Sequence, residues 1–405
     1  MSTDKKDRIL NAPDCGKVPD LRFPGFVEEW VSHSTTDFFE FKNGLNPDAK
    51  RFGTGTKFIS VIDILNNRYI TYDKIISSVI PKEGDLEDFG VNYGDILFQR
   101  SSETLEDVGR ANVYLDNKTA LFGGFVIRGK KIGDYDPLFF RYMLSSPYTR
   151  KRIVVKGAGA QHFNIGQEGL SKVSLFVPSL NEQKRIGELF NLLDVRIETQ
   201  SRAIEDLKRL KLAIVETLYK QDKPTHKIGD VIVQVSNRNR QDNNYSVLSV
   251  NNRLGFIEQS EQFEDRVVAS DDTSNYKIVK HNDFAYNPAR INVGSIARLI
   301  SFDCGIVSPM YICFHTKQSL LPEYLEYFFD THYFFNEMQK RLEGSVRLCL
   351  SWEGLCNIPI TIPTIEEQQK VGNRISGLAA KISLEENYLE LLKKQKQYLL
   401  QSMFI

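Results

Sequence analysis

The sequence predicts an α+β fold, in which two related mixed α/β domains are separated by two long antiparallel helices that form a coiled coil. Two observations predict it. One is an internal repeat at a constant offset of 185 residues, and the other is a heptad pattern of apolar side chains that occurs once in each repeat. A chain of 405 residues has room for two or three domains, which fits this arrangement.

The repeat needs no gap between residues 159–219 and residues 344–404. Within it, Glu168-Gly169-Leu170 recurs as Glu353-Gly354-Leu355, and Gly187 recurs as Gly372. The matches cluster at turns and at predicted helix boundaries, whereas chance matches would be scattered. We therefore interpret the chain as a duplicated unit.

Each repeat ends in a long predicted helix that follows a proline, Pro178 or Pro363, with Asn181 and Thr364 as the predicted N-caps. A single narrow apolar stripe does not stabilise an isolated helix, so we expect the two helices to pack on each other. The predicted seam comprises Ile186, Phe190, Leu193, Ile197, Ile204, Leu207, Ile214 and Leu218 in the first helix, and Val371, Ile375, Leu378, Ile382, Leu389, Leu392, Leu399 and Met403 in the second.

Polar residues interrupt the seam at equivalent positions, Gln200 and Lys211 in one helix and Glu385 and Lys396 in the other. An antiparallel register that pairs Lys211 with Glu385 would give both lysines acceptors. Flush helix ends, or polar positions that face partner proteins, are open alternatives.

The first part of each repeat is mixed in character. Phe58–Ile62 and Tyr245–Val250 are strand-like, and short helices are predicted after Pro137 and Pro322. The runs 95–100 and 283–288 resemble one strand with different residues at its tip. The predicted segments are a disordered tail at 1–20, a first mixed domain at 21–180, a first helix at 181–221, a second mixed domain at 222–363 and a second helix at 364–405.

Composition excludes several function classes. Lys plus Arg and Asp plus Glu are both 52, so no global positive field attracts nucleic acid, and any DNA-binding charge must be local. The five cysteines lack zinc-site spacing, and no cofactor loop or nuclease cluster of carboxylates and lysine is present. No signal peptide or membrane-length apolar run occurs, so we expect a non-catalytic, cytoplasmic protein without a metal site or a membrane partner.

Local clusters of basic and amide side chains are the candidate binding residues. Residues 137–167 carry five basic and no acidic side chains and lead into a glycine-rich loop, a composition that suits contact with DNA phosphates and base edges. A solvated helix face is the alternative interpretation. The candidates are Arg100, Ser101, Ser102, Arg110, Arg150, Lys151, Arg152, Lys156, Gln161, His162 and Asn164 in the first half, and Arg238, Arg240, Arg253, Asn287, Arg290, Asn292 and Arg347 in the second.

The chain resembles the specificity subunits of type I restriction-modification systems. The resemblance covers residues 21–405 and is carried by the opening Leu21-Arg22-Phe23-Pro24-Gly25-Phe26 with Trp30 and by the strand Gly94-Asp95-Ile96-Leu97-Phe98. Most specific are Pro178-Ser179-Leu180-Asn181-Glu182-Gln183 and Pro363-Thr364-Ile365-Glu366-Glu367-Gln368, each of which leads into a long helix.

This resemblance implies two target-recognition domains that each read one half of a bipartite, asymmetric site in double-stranded DNA. It implies two modification subunits as partners, which use S-adenosylmethionine to methylate adenine, and restriction subunits that use ATP and magnesium. Two other function classes stay open at this point. A self-contained methyltransferase or nuclease would act without partners, and a scaffold protein would show no preference for any DNA sequence.

Overall fold

A computed structural model describes residues 17–159, 162–219, 223–240, 245–252, 254–259, 272–345 and 347–405. They form two compact units. Unit 1 takes the described residues up to Ser201 together with Asn387–Ile405, and unit 2 takes those within Arg202–Glu386. Both divisions fall inside a long helix, so each unit includes a segment of each helix. In the described part of the chain, no helix is both long enough and apolar enough to cross a membrane.

Unit 1 is built on an antiparallel four-stranded sheet of order β2-β9-β5-β7 and a three-stranded sheet of order β4-β3-β8, with the pairs β1·β11 and β6·β10 beside them. The strands are β1 (Val31–Ser34), β2 (Phe39–Asn43), β3 (Phe52–Ile59), β4 (Ser77–Val79), β5 (Ile96–Gln99), β6 (Ser101–Ser102), β7 (Ala111–Val113), β8 (Leu121–Phe122), β9 (Val126–Lys131), β10 (Phe163–Asn164) and β11 (Ser174–Val177). The helices are α1 (Val61–Asn66), α2 (Asp85–Phe89), α3 (Pro137–Met143), α4 (Pro147–Val154), α5 (Gln167–Ser171) and the first long helix, α6 (Leu180–Leu218).

Unit 2 contains two four-stranded sheets, of order β13-β20-β17-β18 and β15-β14-β19-β16, and the pair β12·β21. The strands are β12 (His226–Lys227), β13 (Ile232–Val235), β14 (Val247–Asn251), β15 (Gly255–Glu258), β16 (Lys277–Lys280), β17 (Phe284–Tyr286), β18 (Ile296–Arg298), β19 (Cys304–Val307), β20 (Ile312–Thr316) and β21 (Pro359–Ile360). The helices are α7 (Ile228–Val231), α8 (Pro322–Phe329), α9 (His332–Gln339), α10 (Trp352–Cys356) and the second long helix, α11 (Ile365–Ser402).

The first sheet has the same construction in both units. β5 in unit 1 and β17 in unit 2 are each the third strand, antiparallel to both neighbours. The second sheets share a parallel pair, β3·β8 or β14·β19, but differ in the strands around it. The predicted α+β class with a repeated mixed half is confirmed.

Two predicted strands need correction, and the predicted tail lies mostly outside the described residues. The strand predicted at Phe58–Ile62 ends at Ile59, because Asp63 accepts hydrogen bonds from the backbone N–H and the hydroxyl of Ser60 and so starts a helix at Val61. β14 begins at Val247, two residues after the predicted start. Residues 1–16 of the predicted disordered tail lie outside the described residues, whereas the carbonyl of Lys17 accepts a 2.8 Å hydrogen bond from the Trp30 N–H.

The two long helices begin differently. α11 starts directly after Thr364, whose hydroxyl accepts a hydrogen bond from Glu367 N–H while the Glu367 carboxylate accepts one from Thr364 N–H. This reciprocal pair confirms the predicted cap at Thr364. α6 already includes Leu180, so the cap predicted at Asn181 is wrong and that residue lies within the first turn.

The glutamine of the Glu-Gln motif performs the same task in both units. Gln183 donates to the carbonyl of Pro178 (2.9 Å) and accepts from Asp136 N–H (3.0 Å). The equivalent Gln368 donates to Pro363 (2.9 Å) and accepts from Leu321 N–H (2.8 Å). Each glutamine is buried and ties the start of a long helix to the start of the short helix α3 or α8. The motif is therefore a structural joint.

All predicted seam residues are buried or half-buried. In unit 1 the contacts of α6 with the second helix run in opposite chain directions. The rings of Phe190 and Phe404 are 5.5 Å apart, Asp194 pairs with Lys396 at 2.5 Å, and Arg196 bonds to Tyr388. The predicted antiparallel arrangement is therefore confirmed within this unit.

Both lysines of the seam lie over a tyrosine ring of their domain. Lys396 lies 5.6 Å from the Tyr142 ring centroid, and the equivalent Lys211 lies 5.5 Å from that of the equivalent Tyr327. The ion pair found for Lys211 is with Asp330, at 3.5 Å, rather than the predicted one with Glu385. A lysine over a tyrosine thus joins helix to domain in both units.

Candidate nucleic-acid interface

The interface candidate of each unit is built at the tip of its central strand. The residue that follows β5 is Arg100, and its carbonyl accepts a 3.0 Å hydrogen bond from Ile165 N–H. Pro288, just beyond β17, accepts an equal 3.0 Å bond from Leu350 N–H. Ile165 and Leu350 are equivalent in the repeat and both close a glycine loop. A strand tip and a glycine loop therefore lie side by side in each unit.

The described residues of the two glycine loops have similar backbone features. Gly159 has φ +141° and Gly344 has φ +113°, a region that favours glycine. A Cβ atom at Gly159 would lie 2.0 Å from the His162 carbonyl oxygen, and one at Gly344 would lie 2.3 Å from that of Arg347. Equivalent bridges, Ala158 to Asn164 and Glu343 to Cys349, close both loops. The same loop thus presents an exposed His162 in unit 1 and an exposed Arg347 in unit 2.

Small polar side chains make up much of the candidate surface of unit 1. β6 pairs with β10, which sets Ser101 opposite Asn164, and their side chains are hydrogen-bonded. Asn164 also donates to the carbonyl of His162 at 3.3 Å, and Ser102 accepts from Thr104 N–H at 3.2 Å. The structure thus brings the predicted residues of the tip and loop together, with part of their hydrogen-bonding capacity used among themselves.

The predicted basic cluster of unit 1 divides into inward and outward side chains. Lys156 is exposed, Lys151 is half-buried, and Arg110 is exposed and pairs with Asp107 at 2.6 Å. Arg152 lies 4.9 Å from the ring centroid of Phe176 and donates to the carbonyl of Ile405 at 3.1 Å. Arg152 is therefore a link to the end of the chain.

Arg150 is held by backbone carbonyls of its own domain. Its guanidinium donates to the backbone carbonyls of Gly109 (2.7 Å), Glu106 (2.9 Å) and Val108 (2.6 Å). Burial, with a smaller effect of nearby Arg110, lowers the pKa of Arg150 to about 10, so the group is still charged at neutral pH. These contacts direct donors of Arg150 into the domain and hold its side chain there, and its predicted phosphate contact stays a prediction.

Unit 2 presents a cleft of about 720 Å³ at its strand tip. Asn287 and Arg290, from the strand tip, and Arg347, from the glycine loop, all line it. Arg290 and Arg347 are both exposed. The other lining residues are Leu248, Ser249, Val250, Asn251, Asn252, Gln259, Tyr276, Ala289, Val293, Ser295, Ser308, Met310 and Tyr311.

Asn287 lines this cleft, but its side chain is buried and its amide contacts other residues of the domain. It is 8% exposed, its side-chain oxygen accepts from Ala289 N–H at 3.1 Å, and its nitrogen lies 3.7 Å from the sulfur of Met310. Outside the cleft lining, Asn292 is half-buried, Arg240 is exposed, and Arg238 donates to Asn275 at 2.8 Å. The predicted Gln161 and Arg253 lie outside the described residues.

Sequence reasoning missed Ser249, Tyr276 and Tyr311, which complete the cleft wall. They come from three separate segments, and nothing in their local sequence distinguishes them from ordinary strand and loop residues. In the part of the chain that the structure describes, no cluster of three or more His, Cys, Asp or Glu is placed to hold a metal ion.

Comparison with known proteins agrees with this construction. Residues 27–209 match the family model for the type I restriction modification DNA specificity domain. A putative type I restriction enzyme MjaX specificity subunit from Methanocaldococcus jannaschii is 21% identical over 97% of this chain and 95% of its own length. The type I restriction enzyme MjaVIII specificity subunit of the same organism is 22% identical over 93% of this chain and 90% of its own length.

Solved structures show the same fold. The S subunit of a type I restriction-modification system from M. genitalium superposes with a TM-score of 0.56 at 16% identity, over 96% of this chain and 99% of that one. A chain from a structural study of complex assembly in the type I R-M system gives 0.57 at 14% identity, over 94% and 98%. Residues 27–209 therefore match a type I restriction modification DNA specificity domain, and the chain as a whole is similar in sequence and in fold to specificity subunits of type I restriction-modification systems.

Proposed function

We propose that the strand tip and glycine loop of each unit form a DNA-reading surface, so that unit 1 and unit 2 each read one half of a bipartite, asymmetric site in double-stranded DNA. The observation that carries this proposal is the repeated joint between tip and loop, at 3.0 Å in both units, combined with different side chains on it. A common backbone with diverged side chains is what two readers of different sequences require.

The candidate readers of unit 1 are Arg100, Ser101, Ser102, His162 and Asn164. Hydroxyl, imidazole and amide groups can donate to or accept from base edges in the major groove, and amides fit adenine in particular. Lys156, which is exposed, and Arg110 are the candidates for phosphate contact. Because phosphate contacts carry no sequence information directly, these two residues set affinity and orientation.

The candidate readers of unit 2 are Arg290 and Arg347, which line one cleft and are both exposed. A guanidinium group donates two parallel hydrogen bonds to O6 and N7 of guanine, so we assign unit 2 a half-site that contains guanine. Asn292, Arg238 and Arg240 supply further polar contacts at its edge. Asn287 shapes the cleft.

The chain is part of a type I restriction-modification complex. We assign it two modification subunits, which use S-adenosylmethionine to methylate adenine, and restriction subunits that use ATP and magnesium. The proposed place of action is the cytoplasm, where the partners meet chromosomal DNA. The predicted domain boundaries at 21–180 and 222–363 belong to this proposal as the two target-recognition domains.

The experiment is a methylation map of DNA from cells that express this chain with its modification subunits. We expect one bipartite, asymmetric consensus with two unlike half-sites separated by unread positions. Exchange of the glycine loops, residues 159–164 for 344–349, is expected to alter both half-sites while methylation continues. Methylation without a consensus sequence, or a symmetric consensus, would contradict the proposal.

A further inference from the structure

One exposed apolar side chain stands at the same turn in both units. Phe125 lies between β8 and β9 and is 70% exposed, and Met310 lies between β19 and β20 and is 60% exposed. They are equivalent residues at the 185-residue offset of the repeat. Single exposed apolar residues are common on protein surfaces, but the same position in two diverged halves indicates a shared task.

The turns that carry these side chains are alike. In unit 1 the N–H of Val126 donates to the carbonyl of Gly123 at 2.8 Å, and in unit 2 the N–H of Tyr311 donates to Ser308 at 3.1 Å. Each bond closes a β-turn in which the apolar residue is the third of four. Turn positions of this kind usually hold glycine, asparagine or another polar residue, so burial on folding does not explain a phenylalanine or methionine there.

Both turns contact the DNA-reading surfaces. The carbonyl of Phe125 accepts a 2.9 Å hydrogen bond from the backbone N–H of Arg100, which is the first residue of the unit 1 tip. The sulfur of Met310 lies 3.7 Å from the side-chain nitrogen of Asn287, and Met310 lines the unit 2 cleft together with Arg290. The exposed side chains therefore stand beside the polar readers.

We infer that Phe125 and Met310 are specificity-determining residues that contact the C5-methyl group of a thymine, one in each half-site. This inference rests on the proposed function. Base edges in the major groove present donors, acceptors and, on thymine alone, an apolar group. An apolar side chain held among polar readers thus has one matching feature on a base edge. Burial of one methyl group corresponds to about a fourfold change in affinity.

The test is binding of duplexes in which single thymines of the mapped site are replaced by deoxyuridine, which lacks only the methyl group. The protein is the full chain assembled with its modification subunits. For the unchanged protein, we expect one position in the unit 1 half-site to lose about fourfold in affinity. Phe125→Ala is expected to bind the thymine and deoxyuridine duplexes equally at that position, while Phe125→Leu retains part of the difference.

Two matched variants locate the effect. Met310→Ala is expected to remove sensitivity to deoxyuridine only in the other half-site. Ile132→Ala, at the opposite end of β9 and 57% exposed, is expected to change nothing. All three side chains replaced by alanine are largely exposed, so unfolding midpoints should match that of the unchanged protein.

The possible failures are distinguishable. If the unchanged complex prefers its site but no single thymine methyl matters, or if Phe125→Ala keeps the full deoxyuridine effect, the inference is overturned and the proposed function stands. A side chain wedged between base pairs would give this second result, because Phe125→Ala would weaken binding to both duplexes alike. If the unchanged complex binds its site no better than a scrambled duplex, the proposed function itself fails.

Discussion

Unit 1 and unit 2 share their joints and differ in what those joints present. The glutamine bonds of Gln183 and Gln368, and the 3.0 Å bonds between tip and loop, are the same in both units. Yet the loop carries His162 in one unit and Arg347 in the other. The comparison teaches that buried hydrogen bonds keep the backbone arrangement of the two units alike. Exposed side chains on that backbone can then differ without a cost in stability.

The units also differ in how they use the glutamate of the Glu-Gln motif. Glu182 and Glu367 are equivalent members of the Glu-Gln motif, but Glu182 is 1% exposed and forms two hydrogen bonds with Arg22, at 2.6 and 2.7 Å. Glu367 is exposed and caps its own helix. The N-terminal segment that supplies Arg22 also bonds to the end of α11, through Leu21 N–H and the Ser402 carbonyl at 2.8 Å. The glutamate of the same motif thus forms a buried ion pair in unit 1 and an exposed helix cap in unit 2.

The largest expected effect separates these two glutamates. Arg22→Ala leaves the buried Glu182 carboxylate without its partner, so we expect a loss of about 3–5 kcal/mol in the free energy of unfolding of unit 1. Glu367→Ala removes only half of an exposed capping pair and should cost about 0.5–1 kcal/mol in unit 2. Hydrogen exchange followed on peptides of each unit measures both. Equal losses for the two variants would show that the burial of Glu182 has no energetic consequence.

The next effect tests the shared joint. Gln183→Leu and Gln368→Leu each leave a buried backbone donor and acceptor unpaired, so we expect about 1–3 kcal/mol of destabilisation in each case. The loss for Gln368→Leu should be equal to that for Gln183→Leu or somewhat larger, because Gln368 also donates to the carbonyl of Ser319 at 2.9 Å. Gln369→Leu, the exposed neighbour on the same helix, is the control and should cost less than about 0.5 kcal/mol. A loss confined to one unit would break the structural equivalence. The measurement is again hydrogen exchange, peptide by peptide.

A third prediction concerns the second reading surface alone. Arg290→Ala and Arg347→Ala should each relax one position of one half-site, at a cost of about 1–3 kcal/mol in discrimination. The half-site read by unit 1 should be unchanged, because distant substitutions act independently. Methylation profiles of the variants decide this, with Arg374→Ala on α11 as a control. Weaker methylation spread evenly over both half-sites would assign these arginines to phosphate contact or to the fold.

The smallest expected effect contrasts Lys156 with Arg150. Lys156→Ala should reduce the slope of log affinity against log salt by about 0.9 and leave the consensus unchanged, because one phosphate contact is lost. Arg150→Ala breaks three hydrogen bonds to backbone carbonyls and should lower stability without this change in slope. Binding titrations at several salt concentrations, with an unfolding midpoint for each variant, distinguish the two. A reduced slope for Arg150→Ala would return Arg150 to the phosphate-contacting group.

The sequence by itself determined the repeat, the α+β class, the two antiparallel helices and their seam. Local periodicity and short motifs predict these features, and both can be recognised without knowing which distant residues are in contact. The same holds for the Thr364 cap, where donor and acceptor are three residues apart. It also holds for the recurrence of the strand tips and glycine loops, which the repeat shows directly, whereas their contact with DNA stays a prediction.

Only the tertiary structure decided which charged side chains are exposed and which are bonded within the protein. Arg150 and Lys156 belong to one basic run, yet one bonds to carbonyls more than 40 residues away and the other is exposed. Arg22 and Glu182 are 160 residues apart, and Arg152 and Ile405 are 253 apart. Whether a charged side chain reaches a partner depends on what the fold brings beside it. Local sequence shows the charge, and long-range packing determines whether that charge faces the protein or its DNA.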